Sequence, residues 1–294
     1  MAGLKEVRIR IASVNTTKQV TSAMKMVSAA KLRRAQGAIQ KLRPYANKLN
    51  ELLSNLSASA DVSDDVVYFK TRKIKKTLLV IITSNRGLCG AFNANVLKAA
   101  MVHINANHAE RNQNGGLDII TIGKKATEFL GKRKFSVVEN HDSIYENLTY
   151  ERTSQLALKL MDLYATGVYD NIEIIYNQFK NAVTQILTIE QFLPITKLVA
   201  KESKLKRTPD YIFEPSKDEI LKDLVPKTLK LQIYKALIDS WASEQGARMS
   251  AMQKASDNAD ELLKSLRLSY NKARQASITR EIIEIVSGVN ALKG

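Results

Sequence analysis

The chain has 294 residues, 45% of them hydrophobic and 25% charged, and its Lys and Arg residues outnumber Asp and Glu by 45 to 29. That balance suits a soluble globular chain of one or two domains and excludes a disordered one; no apolar stretch nears the roughly eighteen residues of a membrane span. A single cysteine, Cys89, excludes an internal disulfide, and Lys5, Glu6 and Arg8 stand where a signal segment would be apolar, which points to the cytosol or a cytosolic membrane face.

The first segment reads as a long amphipathic helix. Leu4, Val7, Ile11 and Val14 step by three and four; after a slip Val20, Met24 and Val27 resume the stripe, followed by Ala35, Ala38, Leu42, Tyr45, Leu49, Leu52 and Leu56. Pro44 would break or bend it, leaving open an ordinary helical bundle. From residue 1 to 57 eleven basic residues face only Glu6 and Glu51. So basic a helix attracts polyanions: nucleic acid, an acidic membrane surface or an acidic protein loop. Interleaved aromatics, the usual mark of nucleic-acid stacking, are missing.

The middle reads as α/β. Thr77–Ser84 is an apolar run of the kind that fills a sheet buried on both faces, and the turn Asn85–Gly90 leads into a helix from about Asn93 to Arg111. Asp118–Gly123 repeats strand then glycine then helix. Phe135–Glu139 is a further strand, Thr149–Thr166 an amphipathic helix ended by Gly167, and Asn171–Phe179 and Gln185–Ile195 are two strands near an edge. Such alternation predicts a doubly wound, mostly parallel sheet. Asn112–Gly116 and the basic stretch Lys201–Thr208 read as surface loops.

Little in this middle segment suggests chemistry. The turn Arg86–Gly90 lacks the glycine spacing and the following Lys-Ser/Thr of a phosphate loop, and no dinucleotide fingerprint is present. Cys89 has no sequence-near histidine to activate it. His103, His108 and His141 have no neighbouring Cys or paired carboxylate in the sequence, so they read as structural. Neither a cofactor nor a catalytic residue is expected.

The last segment mirrors the first. Ile238, Trp241, Met249, Met252, Ala255, Ala259, Leu263, Leu266, Tyr270 and Ala273 form a helical stripe, continued by Ile278, Ile282, Ile285, Val289 and Leu292. Neither stripe can be buried alone, so the two helices are expected to pair as an antiparallel coiled coil, with Val14 near Ile278, around the inserted α/β domain. The expected divisions are 1–57, 58–216 and 217–294.

Four blocks then carry a resemblance. Arg10–Gln36, Thr83–Gly90, Glu244–Ala259 and Tyr270–Gly288 resemble, in order, segments of the gamma subunits of F-type ATP synthases, bacterial-like in form. The last holds the signature Ile278, Thr279, Glu281, Glu284 and Gly288, with Val289 where the family usually has Ala or Ser. The resemblance implies a central stalk, a shaft turning inside a ring of alpha and beta subunits. Its partners would be that ring, an epsilon subunit and the membrane c-ring, with no nucleic acid and no membrane insertion, on the cytoplasmic side of a bacterial inner membrane. It also implies that Met24, Lys25, Arg33, Arg34, Arg274, Gln275, Thr279 and Glu281 contact the ring. Tyr211, Phe213 and Glu214 would form a foot on the c-ring and epsilon; an ordinary edge strand is the other reading of that segment. Two rivals remain: a basic coiled-coil protein that binds nucleic acid, and a small-molecule enzyme on the α/β domain, which would explain the glycine turns but leave the long helices idle.

Overall fold

In the computed structural model, residues 4–59, 67–195, 214 and 217–293 are described. Two helices flank the chain, α1 (Leu4–Ser59) and α6 (Lys217–Lys293). Between them run β1 (Thr77–Ile82), α2 (Phe92–Asn107), α3 (Ala109–Gln113), β2 (Leu117–Ile122), α4 (Lys124–Gly131), β3 (Val137–Asn140), α5 (Tyr150–Ala165), β4 (Asn171–Phe179) and β5 (Gln185–Leu193). The chain divides into two compact units, Met1–Ala29 with Arg248–Gly294, and Ala30–Ala247.

The α/β unit is built on a five-stranded sheet of order β3-β2-β1-β4-β5. All neighbours are parallel except β4 and β5, whose hairpin closes one edge antiparallel. The apolar run of β1 is wholly buried because both faces are covered. Leu78, Val80 and Ile82 join one core with Leu156 and Leu160 of α5 and Leu229 and Ile233 of α6. Leu79 and Ile81 point the other way, into a core with Val96 and Ala100 of α2 and Ala126 and Leu130 of α4. Each fully buried Leu or Ile contributes about 1.5–3 kcal/mol, so the strand alone anchors three layers. The expected doubly wound, mostly parallel sheet is what forms.

Local departures have local causes. The expected single helix after β1 is two, because His108 takes φ −131° and ends α2 while its N–H still reaches the Ile104 carbonyl. The third strand starts two residues late: Lys134 takes φ 60° and the Phe135 N–H turns back to the Leu130 carbonyl. Between β2 and α4, Gly123 at φ 107° passes so close to the Thr83 backbone that any Cβ there would overlap the Thr83 carbonyl.

Both long helices run through a proline, Pro44 in α1 and Pro226 in α6. An interior proline costs about 3 kcal/mol, and packing on either side of it outweighs that. Near Pro44, Ala46 and Leu49 of α1 pack on Leu231 of α6; near Pro226, Leu221, Val225 and Leu229 share the sheet core with Leu53.

Candidate partner-docking surfaces

The two-helix unit pairs α1 and α6 along a seam. On α6 the seam positions are Met252, Ser256, Ala259, Leu263, Leu266, Tyr270 and Ala273, alternating four and three. On α1 they are Leu4, Val7, Ile11, Val14, Lys18, Thr21, Lys25 and Ser28, with no slip. This strict 3.5-residue repeat is that of a coiled coil. It corrects the expected stripe: Val20 and Val27 are 52% and 56% exposed, while the hydroxyl residues Thr21 and Ser28 take the buried positions.

Polar contacts fix direction and register. Thr21 Oγ1 lies 2.8 Å from Ser256 Oγ, and Lys18 Nζ lies 2.5 Å from Asp260 Oδ1, so α6 numbers rise as α1 numbers fall. Because Thr21 donates to the Lys18 carbonyl at 2.9 Å, the Ser256 hydroxyl donates across the seam. The pair is antiparallel, as expected, but the register sets Val14 level with Leu263, about four turns from Ile278. The expected proximity of Val14 and Ile278 is therefore wrong.

The same register carries α6 past the described start of α1 from Arg274 onward. There the apolar stripe has no helix opposite it among the described residues: Ile278, Ile282, Ile285 and Val289 are 44%, 55%, 66% and 46% exposed. Arg274, Gln275, Thr279 and Glu281 are exposed on this same stretch. Thr279 Oγ1 donates to the Gln275 carbonyl at 2.9 Å and Glu281 accepts from the Ser277 hydroxyl at 3.3 Å, so their polar groups are held along the helix. An exposed helix with a continuous apolar face and a polar cluster is a surface fitted to a partner.

The other predicted contacts fall in different places. Met24 and Lys25 are half-buried in the two-helix unit, and Arg33 and Arg34 are exposed in the α/β unit. Tyr211 and Phe213 lie outside the described residues; Glu214 is exposed.

In the α/β unit the turn after β1 folds its polar groups onto one another. Ser84 N donates to Asn93 Oδ1 at 3.0 Å, Asn93 Nδ2 donates to Ser84 Oγ at 2.8 Å and to the buried Cys89 Sγ at 3.2 Å. Two clusters escaped sequence reasoning. His103 Nε2 and His108 Nε2 lie 2.5 and 3.3 Å from the same oxygen, Glu173 Oε2, which comes from β4, seventy residues after His103. Burial pushes the Glu173 carboxyl up, but hydrogen bonds from His108, His103 and Asn171 outweigh it and hold the group down at about 2. In α6, Asp239 is buried, and its Oδ1 has no hydrogen-bond partner among the described residues. Burial chiefly, with the Glu190 charge adding, outweighs Lys235 and Arg43 and pushes its carboxyl up to about 6. Neither cluster had a signal in the local sequence, since every carboxylate involved is distant in the chain or sits in an apolar helical stretch.

Comparison with known proteins bears on the whole chain. A family model described as ATP synthase matches residues 3–292. The ATP synthase gamma chain of Flavobacterium psychrophilum is 55% identical over 294 residues, all of both chains, and that of Cytophaga hutchinsonii is 53% identical over 99% of each. Among solved structures, a chain of the Tetrahymena thermophila mitochondrial ATP synthase central stalk and c-ring superposes with a TM-score of 0.60 at 26% identity, covering 81% of this chain and 99% of that one. A chain of the Euglena gracilis mitochondrial enzyme reaches 0.69 at 22% identity over 98% and 94%, a likeness of fold. The nucleic-acid reading of the basic helix gains no support from these relatives. An antiparallel pair of helices in one unit and a doubly wound sheet in the other, in a chain matched from end to end by such relatives, place it in the ATP synthase gamma-chain family.

Proposed function

We propose that this chain is the rotor shaft of an F-type ATP synthase, carrying ion-driven rotation of a membrane c-ring to the catalytic sites of an alpha/beta ring. The observation that carries this is the uncovered stretch of α6 from Arg274 onward, apolar on one face and polar beside it, in a chain whose relatives are gamma chains over their full length. Segments 1–57 and 217–294 form the shaft. Segment 58–216 is the part outside the ring, with Tyr211, Phe213 and Glu214 as a foot on the c-ring and epsilon subunit. Met24, Lys25, Arg33, Arg34, Arg274, Gln275, Thr279 and Glu281 meet the alpha and beta subunits.

The physics is a population shift. A shaft whose faces differ presents a different surface to each beta subunit, and each orientation favours a different open or closed state at each site. The basic surplus of α1 supplies attraction to acidic loops without one fixed contact, which suits a surface that must slide. The chain itself is non-catalytic and needs no cofactor. No helix among the described residues is long and apolar enough to cross a membrane. By its likeness to gamma chains we assign the chain to the periphery of a membrane-bound complex, on the cytoplasmic side of a bacterial inner membrane.

Mixing the purified chain with alpha and beta subunits tests this. Multi-site ATP hydrolysis should rise on its addition, and the chain alone should have none. ATP turnover by the isolated chain, or its failure to co-purify with alpha and beta subunits, would overturn the proposal.

A further inference from the structure

His103 stands on the last turn of α2, His108 at the break between α2 and α3, and Glu173 on the neighbouring strand β4. Their three ligand-type atoms lie within 4.8 Å of one another, the one such group among the described residues. The site is recessed: the His108 side chain is 3% exposed and those of His103 and Glu173 about as little as 14% and 15%.

We propose that His103 Nε2, His108 Nε2 and Glu173 Oε2 bind a divalent cation of the zinc class, which would clip the α2–α3 break to the sheet. Two imidazoles and a carboxylate are a ligand set for zinc that leaves a fourth position for water. Bonds of about 2.0–2.1 Å in a tetrahedron set ligand atoms about 3.3 Å apart. His108 Nε2 already stands at 3.3 Å from the carboxylate oxygen, and His103 at 2.5 Å must open by under roughly 1 Å. The carboxylate is held as such a site requires. Asn171 Nδ2 donates to Glu173 Oε1 at 2.7 Å and fixes the carboxylate. Asn107 Nδ2 donates to His103 Nδ1 at 2.9 Å, so this amide must turn its oxygen to that nitrogen before His103 can take a cation on Nε2.

A second contact opposes the cation. Arg111 Nη1 lies 2.8 Å from His108 Nδ1, and a guanidinium can only donate, so this ring carries its proton on Nε2, aimed at Glu173. The arriving cation takes the Nε2 lone pair, the proton shifts to Nδ1, and Arg111, a half-buried side chain on a five-residue helix, turns away. Arg111 therefore acts against binding by both its charge and its hydrogen bond.

The test is titration of the full, untagged chain, carrying Cys89→Ser, with Co2+ and competition by Zn2+. One equivalent should saturate, with the intense visible bands of four-coordinate cobalt, and Zn2+ should erase them and raise the melting temperature. His103→Ala and Glu173→Gln should abolish the bands, and Asn171→Ala should weaken binding by about tenfold. Arg111→Gln should tighten it, an effect that a purely hydrogen-bonded cluster would not produce. Far-ultraviolet circular dichroism verifies that each variant is folded; should Glu173→Gln unfold, the rim substitution His103→Ala and the gain in Arg111→Gln still decide. Absence of saturable binding by the parent chain, or binding equally tight in His103→Ala, would overturn the site.

Discussion

The hydroxyl of Thr21 meets that of Ser256 at 2.8 Å, buried between α1 and α6, where a coiled coil ordinarily carries aliphatic side chains. A paired polar position has one partner at the right height, so it sets the register that apolar neighbours would tolerate in several. With Cys89 replaced, cysteines at Thr21 and Ser256, or at Val14 and Leu263, should crosslink readily, and cysteines at Val14 and Ile278 should not. Thr21→Val, which strands the Ser256 hydroxyl, should cost about 1 kcal/mol in thermal unfolding, and adding Ser256→Ala should recover part of it.

Arg274 and Gln275 are exposed in the free chain, so the double substitution to alanine should change its unfolding free energy by less than about 0.5 kcal/mol. In the assembled enzyme an arginine pressed against a carboxylate loses about 2–5 kcal/mol on truncation, so ATP-driven ion pumping should collapse. Normal pumping by the double variant would remove these residues from the ring contact; unfolding of the free chain would make them structural.

Asp239 gives the pH dependence a definite sign. Its carboxyl, raised from 3.8 to about 6 by burial, contributes stability when protonated; that stability is complete below about pH 4 and lost as pH rises through 6. A shift of that size corresponds to about 2–3 kcal/mol. Asp239→Asn should therefore match the parent near pH 4 and melt higher at pH 7 to 8. A lower melting temperature for the variant at pH 7 would mean that Arg43 and Lys235 need the charge more than burial opposes it.

Gly246 stands where α6 crosses the β4–β5 hairpin: a Cβ there would lie 2.9 Å from the Ala182 carbonyl oxygen and 3.2 Å from its Cα. Alanine normally gains nearly 1 kcal/mol over glycine in a helix, but overpacking against backbone costs about 1–3 kcal/mol. Gly246→Ala should be destabilising by about 1 kcal/mol. Gly37→Ala, where a Cβ meets nothing within 4 Å, should stabilise α1 by about 0.5–1 kcal/mol. Opposite signs in paired melting experiments are the expected outcome.

What was legible in the sequence depended on how far each determinant reached. Strands β1, β4 and β5 and helix α5 could be read closely, because a buried strand needs an apolar run and Thr149 caps its helix through a side chain accepting from Arg152 N. The seam was misread where hydroxyl residues occupy it. Thr21 and Ser28 count as polar by type, and only the facing helix reveals that Ser256 satisfies Thr21. Pro44 could not be weighed without Leu231, nor the histidines without Glu173. The ring and foot residues were named by resemblance alone; exposure of Arg274, Gln275, Thr279, Glu281 and Glu214 is compatible with those roles, while Met24 and Lys25 are half-buried.

The uncovered isoleucines of α6 also bear on biosynthesis. A helix with such a face is adhesive to its own kind, and a pool of free chains at high concentration would self-associate through it. That stretch follows the sheet and its covering helices in the chain, so it leaves the ribosome after them, when the larger cores can already have closed. The sticky element is thus made after those cores, and the interval in which it must be chaperoned is the interval before assembly.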